Sequence, residues 1–270
     1  MSDTNKIRII SGAVLTVMVA AAGFIGGPVL LIGCFALSVI GLKEYYNALS
    51  ITDGGMVKTG YVLSAVYYLI LLFFGKRGLY TGAVLAFASY MLLHIKKYPS
   101  YTFSDTVKGL AGFVWIPYLM SFIYLSRVSK GGFALYVLLF ISSWLGDTFA
   151  YSIGRRFGKH KMTPVLSPKK SWEGLIAEVA GVTVIGLIYG IIAKDAFSAY
   201  RFPVIACVIA AFFGSLLSVA GDLTASAVKR EHGIKDYGTL IPGHGGVMDR
   251  FDSILFAAPF VFIVFELMVK

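Results

Sequence analysis

The chain has 270 residues, of which 57% are hydrophobic and 14% charged, and its mean hydropathy is +0.79. A soluble domain is nearer half apolar and a quarter charged, so the composition excludes a soluble enzyme or binding module and points to an all-α polytopic membrane protein. The net charge of +10 does not call for nucleic acid, because bilayer-embedded chains are commonly basic on one side.

A span needs roughly 20 apolar residues, fewer where flanking side chains snorkel. About nine transmembrane helices are expected, near 7–22, 25–42, 60–74, 79–94, 107–126, 131–150, 174–193, 203–226 and 251–269. The third and fourth are short enough to form one re-entrant pair. The first resembles a signal peptide, with Lys6 and Arg8 ahead of an apolar stretch that ends in Ala20, Ala21 and Ala22. In a chain that starts at Met1 it is expected to be retained as a span. Gly23 and Gly27 have the spacing of a helix-packing face, but Pro28 follows at once and favours a turn. Tyr45, Tyr46, Tyr98, Tyr101, Tyr118 and Tyr124 fall near span ends and are expected as interfacial anchors. Cys34 and Cys207 sit inside apolar runs, with neither a disulfide framework nor metal-ligand spacing.

With nine spans, 17 of the 24 Lys and Arg residues fall on the side of the N-terminus. The positive-inside bias makes that side cytoplasmic, in a multi-pass protein of the inner (cytoplasmic) cell membrane. Two regions are expected: N-terminal helices over 1–126, with no role legible, and a catalytic membrane region over 127–270 with loops at 151–173 and 227–250.

The longest polar interval between long apolar runs is 226–252. It holds Lys229, Arg230, Lys235 and Arg250 against Glu231, Asp236, Asp249 and Asp252, with two histidines, five glycines and one proline. Carboxylates gathered with cations and glycines suit a divalent metal and a polyphosphate. Oxygen ligands hold Mg²⁺, which shares substrate phosphate oxygens. Lys and Arg neutralise the remaining charge, and glycines admit the backbone N–H groups to it. A solvated basic loop would be the bland alternative. The order Ser226, Lys229, Arg230, Lys235, Asp236, Gly238, Pro242, His244, Gly245, Gly246, Asp249, Arg250, Phe251, Asp252 resembles the complete signature of the phosphatidate cytidylyltransferases. A second run, Ser167 to Gly174 with Lys169, Lys170 and Ser171, is similar to another segment of that family. Ser171 is also placed to cap the helix that follows, and a helix N-terminus attracts anions.

Independently of that resemblance, Gly146-Asp147-Thr148-Phe149-Ala150 and Gly221-Asp222-Leu223-Thr224-Ala225 share one pattern. Arg155 and Arg230 both follow eight residues after the Asp, and Gly158 and Gly233 eleven after. A weak parallel repeat would point Asp147 and Asp222 at one site. Carboxylates within spans are costly and read as functional by default. Asp222 and Asp249 are therefore expected to hold a catalytic Mg²⁺, with Asp147 a third or neighbouring ligand; a second cation is left open. Asp249 and Asp252 would share a helix face, where their ordinary role is capping. Asp236 is the weaker candidate, and His244 divides between phosphate contact, base and structural hydrogen bond.

The resemblance implies that a phosphatidic acid phosphate oxygen attacks the α-phosphorus of CTP, giving CDP-diacylglycerol and pyrophosphate. Asp222, Asp249, Lys229, Lys235 and Arg250 would be catalytic. Lys169, Lys170, Ser171, Arg230, Asp236, His244, Gly245 and Gly246 would bind the substrates. The competing readings are an ion-coupled transporter, which would place its carboxylates near the midplane, a related lipid phosphotransferase or CTP-dependent lipid kinase, and a non-catalytic scaffold. Acyl preference, CTP against dCTP, and a homo-oligomeric state are not legible.

Overall fold

The computed structural model describes residues 3–270, with side chains from Lys6 onward. The described residues form membrane helices and one short β-hairpin, and they divide into two compact units. Among the described residues seven helical segments are long and apolar enough to cross a membrane, and one of these, Gly54–Lys97, is itself two helices joined by a tight turn.

The first unit comprises residues 1–125 and 234–250. Helix α1 (Asp3–Ile25) ends where Gly26 and Gly27 adopt φ values of 67° and 50°, and α2 (Gly27–Ala48) starts with Pro28 in its first turn. A side chain is strained at such φ values and proline lacks only an N–H that a first turn leaves unbonded, so the expected turn forms here. Asp53 caps α3 (Gly54–Phe74) by accepting from the N–H of Gly55 and Met56. Helix α4 (Gly78–Lys97) returns after one 3₁₀ turn. These two helices have 21 and 20 residues, longer than the expected spans and each sufficient to cross a bilayer. Thr102 and Asp105 form a reciprocal capping box on α5 (Phe103–Phe113). A π turn over Val114–Tyr118 then contains Pro117, whose missing N–H breaks the regular ladder before α6 (Leu119–Val128).

Tyrosines hold this unit together from inside. Tyr67 bonds Ser121 at 2.7 Å, Tyr68 bonds Ser38 at 2.9 Å and also donates to the Pro117 carbonyl, and Tyr45 donates to the Lys108 carbonyl. Tyr45, Tyr46, Tyr101 and Tyr124 are buried core residues, whereas the expectation made them interfacial anchors; Tyr98 is exposed. In a bilayer a hydroxyl must find its partner within the protein, so a buried tyrosine supplies both apolar area and a cross-link.

The second unit comprises 126–233 and 251–270. Helix α7 (Gly132–Phe140), a π turn (Ile141–Leu145) and α8 (Gly146–Phe157) form one segment, so the helix runs seven residues beyond the expected span end. The polar connection expected as a loop is largely a β-hairpin, β1 (Lys161–Thr163) antiparallel to β2 (Ser167–Ser171). Ser171 caps α9 (Trp172–Ile192) through the Gly174 N–H, and Pro203 opens α10 (Pro203–Glu231). Helix α11 (Met248–Leu267) begins in the first unit and continues in the second from Phe251. The segment 234–250, expected with the C-terminal region, thus packs in the N-terminal unit. Both cysteines are free and buried.

Helices α9 and α10 pack along small residues. A methyl group on Gly186 would collide with Ala211, and one on Gly190 would stand 2.9 Å from the Cys207 Cβ. Close backbone approach is the main source of helix attraction within lipid. Gly186→Val should therefore force the helices apart at a cost of about 1–3 kcal/mol. Thermal unfolding in detergent should start several degrees below that of the parent chain, and an unchanged midpoint would show that this contact is slack.

Candidate functional site

The site is built in the second unit, where α8, β2, α9, α10 and α11 each contribute a charged group. Lys170, on β2, forms an ion pair with Asp222 of α10, with 2.7 Å between Nζ and Oδ2. Asp147 lies in the first turn of α8, following the π turn. Glu178 lies on the inner face of α9, only 2% exposed, and Asp252 on α11 is 6% exposed. The charges of Asp147 and Asp222 both act on Glu178 and on Asp252. Lys170 acts on the first of these and Lys229 on the second. Backbone contact makes this crowding possible: any side chain on Gly221 would run into the Asp252 carbonyl, and one on Gly146 would meet Glu178 Oε1 at 2.8 Å.

A cavity of about 230 Å³ opens beside this cluster, lined by Asp147, Lys169, Lys170, Ser171 and Glu178 among others. Sites that enclose a drug-sized ligand run to roughly 300–1,000 Å³. This one suits a phosphate group or a short phosphate chain, with the rest of a nucleotide outside it. Oxygen donors alone line its acidic wall, which is the chemistry Mg²⁺ takes. Among the described residues no three His, Cys, Asp or Glu side chains are arranged as a ready cage. Mg²⁺ commonly keeps waters and completes its shell with substrate oxygens, so one or two protein carboxylates suffice. Glu178 Oε1 is buried without a hydrogen-bond partner, an unsatisfied acceptor facing the same cluster. The donor set fits the ion.

The signature residues fall in both units. Lys229 is buried and Arg230 exposed on the last turn of α10, in the second unit. Lys235, Asp236, His244, Gly245, Gly246, Asp249 and Arg250 belong to the first. There Asp249, expected beside Asp222, accepts at Oδ2 from the N–H groups of Tyr237 and Gly246, at 2.8 and 2.9 Å. Lys235 and Asp236 are exposed. Gly245, at φ 84°, closes a tight turn in which the Ile241 N–H donates to its carbonyl. His244 shares a hydrogen bond with Ser11 of α1, whose hydroxyl also reaches the Pro242 carbonyl.

The profile of the cytidylyltransferase family matches residues 6–268. The chain belongs to that family. A phosphatidate cytidylyltransferase of Staphylococcus saprophyticus is 30% identical over 265 residues, which is 96% of this chain and 98% of that protein. One from Thermotoga maritima is 34% identical over 172 residues, 64% of this chain and 63% of the relative, a little under two-thirds of its length. One from Haemophilus influenzae is 43% identical over 129 residues, 48% of this chain and 44% of the relative.

Sequence reading of this family member missed two residues. Glu178 is one, and Glu44 the other. Glu44, on α2, is buried and accepts from the N–H groups of Val247 and Met248 at 3.0 and 2.9 Å, which caps α11 from another helix. A side chain on Gly246 would strike the Glu44 carboxylate. Glu178 carried a signal that was passed over, a lone acid inside an apolar run, whereas Glu44 stands beside Lys43 just past the end of one.

Glu44→Gln sets an amide NH₂ against one of those N–H donors and removes the charge at the helix N-terminus. A loss of about 1.5–3 kcal/mol is expected, read as earlier thermal unfolding in detergent. His244 supplies a pH test of the same loop. Partial burial, then the charges of Arg250 and Arg8, hold it below its ordinary value of 6.5, against a backbone hydrogen bond with Pro242. The unfolded chain therefore binds more protons there, so this contribution to stability is complete above about 6.5 and is lost as pH falls through the window beneath it. His244→Gln should flatten that part of the profile of Tm against pH, and an unaltered profile would remove His244 from the anchoring of the loop.

Proposed function

We propose that the protein is a phosphatidate cytidylyltransferase that transfers the cytidylyl group of CTP to phosphatidic acid at the cytoplasmic face of the membrane. The observation that carries this reading is the cavity lined by Lys169, Lys170 and Ser171 against Asp147 and Glu178, with Asp222 paired to Lys170. Basic groups for phosphate and acidic groups for a cation meet there at the ends of membrane helices. The relatives' shared name and the excess of Lys and Arg on one side support it further.

The reaction joins a phosphatidate phosphate oxygen to the α-phosphorus of CTP. The bond from that phosphorus to the bridging oxygen breaks, and pyrophosphate leaves with the bonding pair. The nucleophile is already anionic near neutral pH, so no side chain needs to remove a proton. The protein's work is to position two anions and neutralise the charge between them. Lys170 holds Asp222 in a neutral pair until the nucleotide arrives, then turns to the triphosphate. Lys169 and the α9 N-terminus behind Ser171 bind phosphate oxygens. Asp222 and Asp147 are the residues that would hold Mg²⁺, with water and substrate oxygens completing its shell; when bound it neutralises and orients the phosphate oxygens. Lys229 balances Asp252. The lipid's acyl chains stay among the helices while its head meets the water-borne nucleotide.

Purified protein in detergent should release pyrophosphate only with CTP, phosphatidic acid and Mg²⁺ together, and chelation should stop it. Asp222→Asn should lower kcat by about 10²-fold or more, the scale for losing one electrostatic contact to the reacting charge. Release without phosphatidic acid would overturn the reaction. Undiminished release by Asp222→Asn would keep the reaction and remove the site.

A further inference from the structure

The first unit carries a second amphipathic cavity with no part in the proposed reaction. It measures about 440 Å³ and lies between α3 and α4. Lys58, in the second turn of α3, and Lys96, in the last turn of α4, both line it. Because the two helices run antiparallel through one tight turn, those ends lie on the same side of the membrane. Thr59 and Ser89 add hydroxyls, while Val62 and Leu92 furnish an apolar wall and are each more than half exposed. Among the described residues no acidic one lines the cavity.

We propose that this cavity binds an anionic glycerophospholipid of the surrounding bilayer, its phosphate on Lys58 and Lys96 and an acyl chain along Val62 and Leu92. Charge complementarity selects the class: two cations and two hydroxyls want a phosphate diester, and the exposed aliphatic wall wants hydrocarbon beside it. A water-borne nucleotide would leave that wall bare, and a zwitterionic lipid would bring a cation up to two lysines. Basic residues at the membrane surface attract anionic lipid with a free energy that corresponds to about fivefold in affinity for each lysine. The site rests on the first unit alone and is independent of the cytidylyl-transfer reading.

The test uses the full chain in detergent with phosphatidylglycerol or phosphatidylcholine of identical acyl chains, with bound lipid counted by native mass spectrometry. Lys58→Gln with Lys96→Gln should weaken phosphatidylglycerol binding at least about tenfold and leave phosphatidylcholine unaffected. Ser89→Trp, which fills the cavity and keeps both charges, should lower phosphatidylglycerol binding as well. Lys170→Gln should leave the bound lipid in place. Parent-like binding by the double variant, or equal loss of both lipids, would overturn the proposal. So would loss of the same lipid in Lys170→Gln, because the lipid would then sit in the cavity of the second unit.

Discussion

The pair between Lys170 and Asp222 ties β2 to α10 beside the acidic cluster of the second unit. The carboxylates of Asp147 and Asp222 act on those of Glu178 and Asp252 within it. Like charges so placed repel, and burial strips Glu178 and Asp252 of the water that would otherwise screen them. A β-hairpin that delivers Lys170 to Asp222, and a helix that buries Lys229 near Asp252, offset that repulsion without filling the space between the acids. A part-exposed pair of this kind is a weak source of net stability, since solvent screening and desolvation offset most of its attraction.

Close helix packing is what brings the acids together. At Gly221 and Gly146 the absence of a side chain lets the Asp252 carbonyl and the Glu178 carboxylate approach a neighbouring backbone. The same economy continues along α9 at Gly186 and Gly190. Within lipid there is no hydrophobic drive between helices, so attraction rests on contact, and contact rests on small residues. The glycines that stabilise the bundle also set the spacing of its charges.

Much of this was legible in the sequence, because membrane residence and helical spans follow from apolar runs alone. The two Gly-Asp patterns pointed Asp147 and Asp222 at one place, and both act on Glu178. Lys169 and Lys170 met them because a capped helix starts at Ser171. Other features were not legible. Hydropathy cannot see a helix that continues into polar residues, so α8 was cut short and the β-hairpin after it was read as loop. Nor does it say which tyrosines turn inward, since Tyr45 and Tyr46 occupy positions equally suited to an interface. Segment 234–250 joins the N-terminal unit through tertiary bonds to Glu44 and Ser11, more than 200 positions away in the chain.

Hydrogen-bond accounting separates the two kinds of buried acid in this protein. Glu44 has both carboxylate oxygens engaged by backbone N–H groups, and Oδ2 of Asp249 has two. Such acids complete a helix terminus and a loop, and their burial is compensated within the fold. Glu178 is as deeply buried, yet its Oε1 has no hydrogen-bond partner. In a folded interior an acceptor left in that state costs free energy. Both glutamates lie on apolar helices. The first is explained by what it already holds. The second stands beside Asp147 and Lys170 in the lining of the cavity of the second unit.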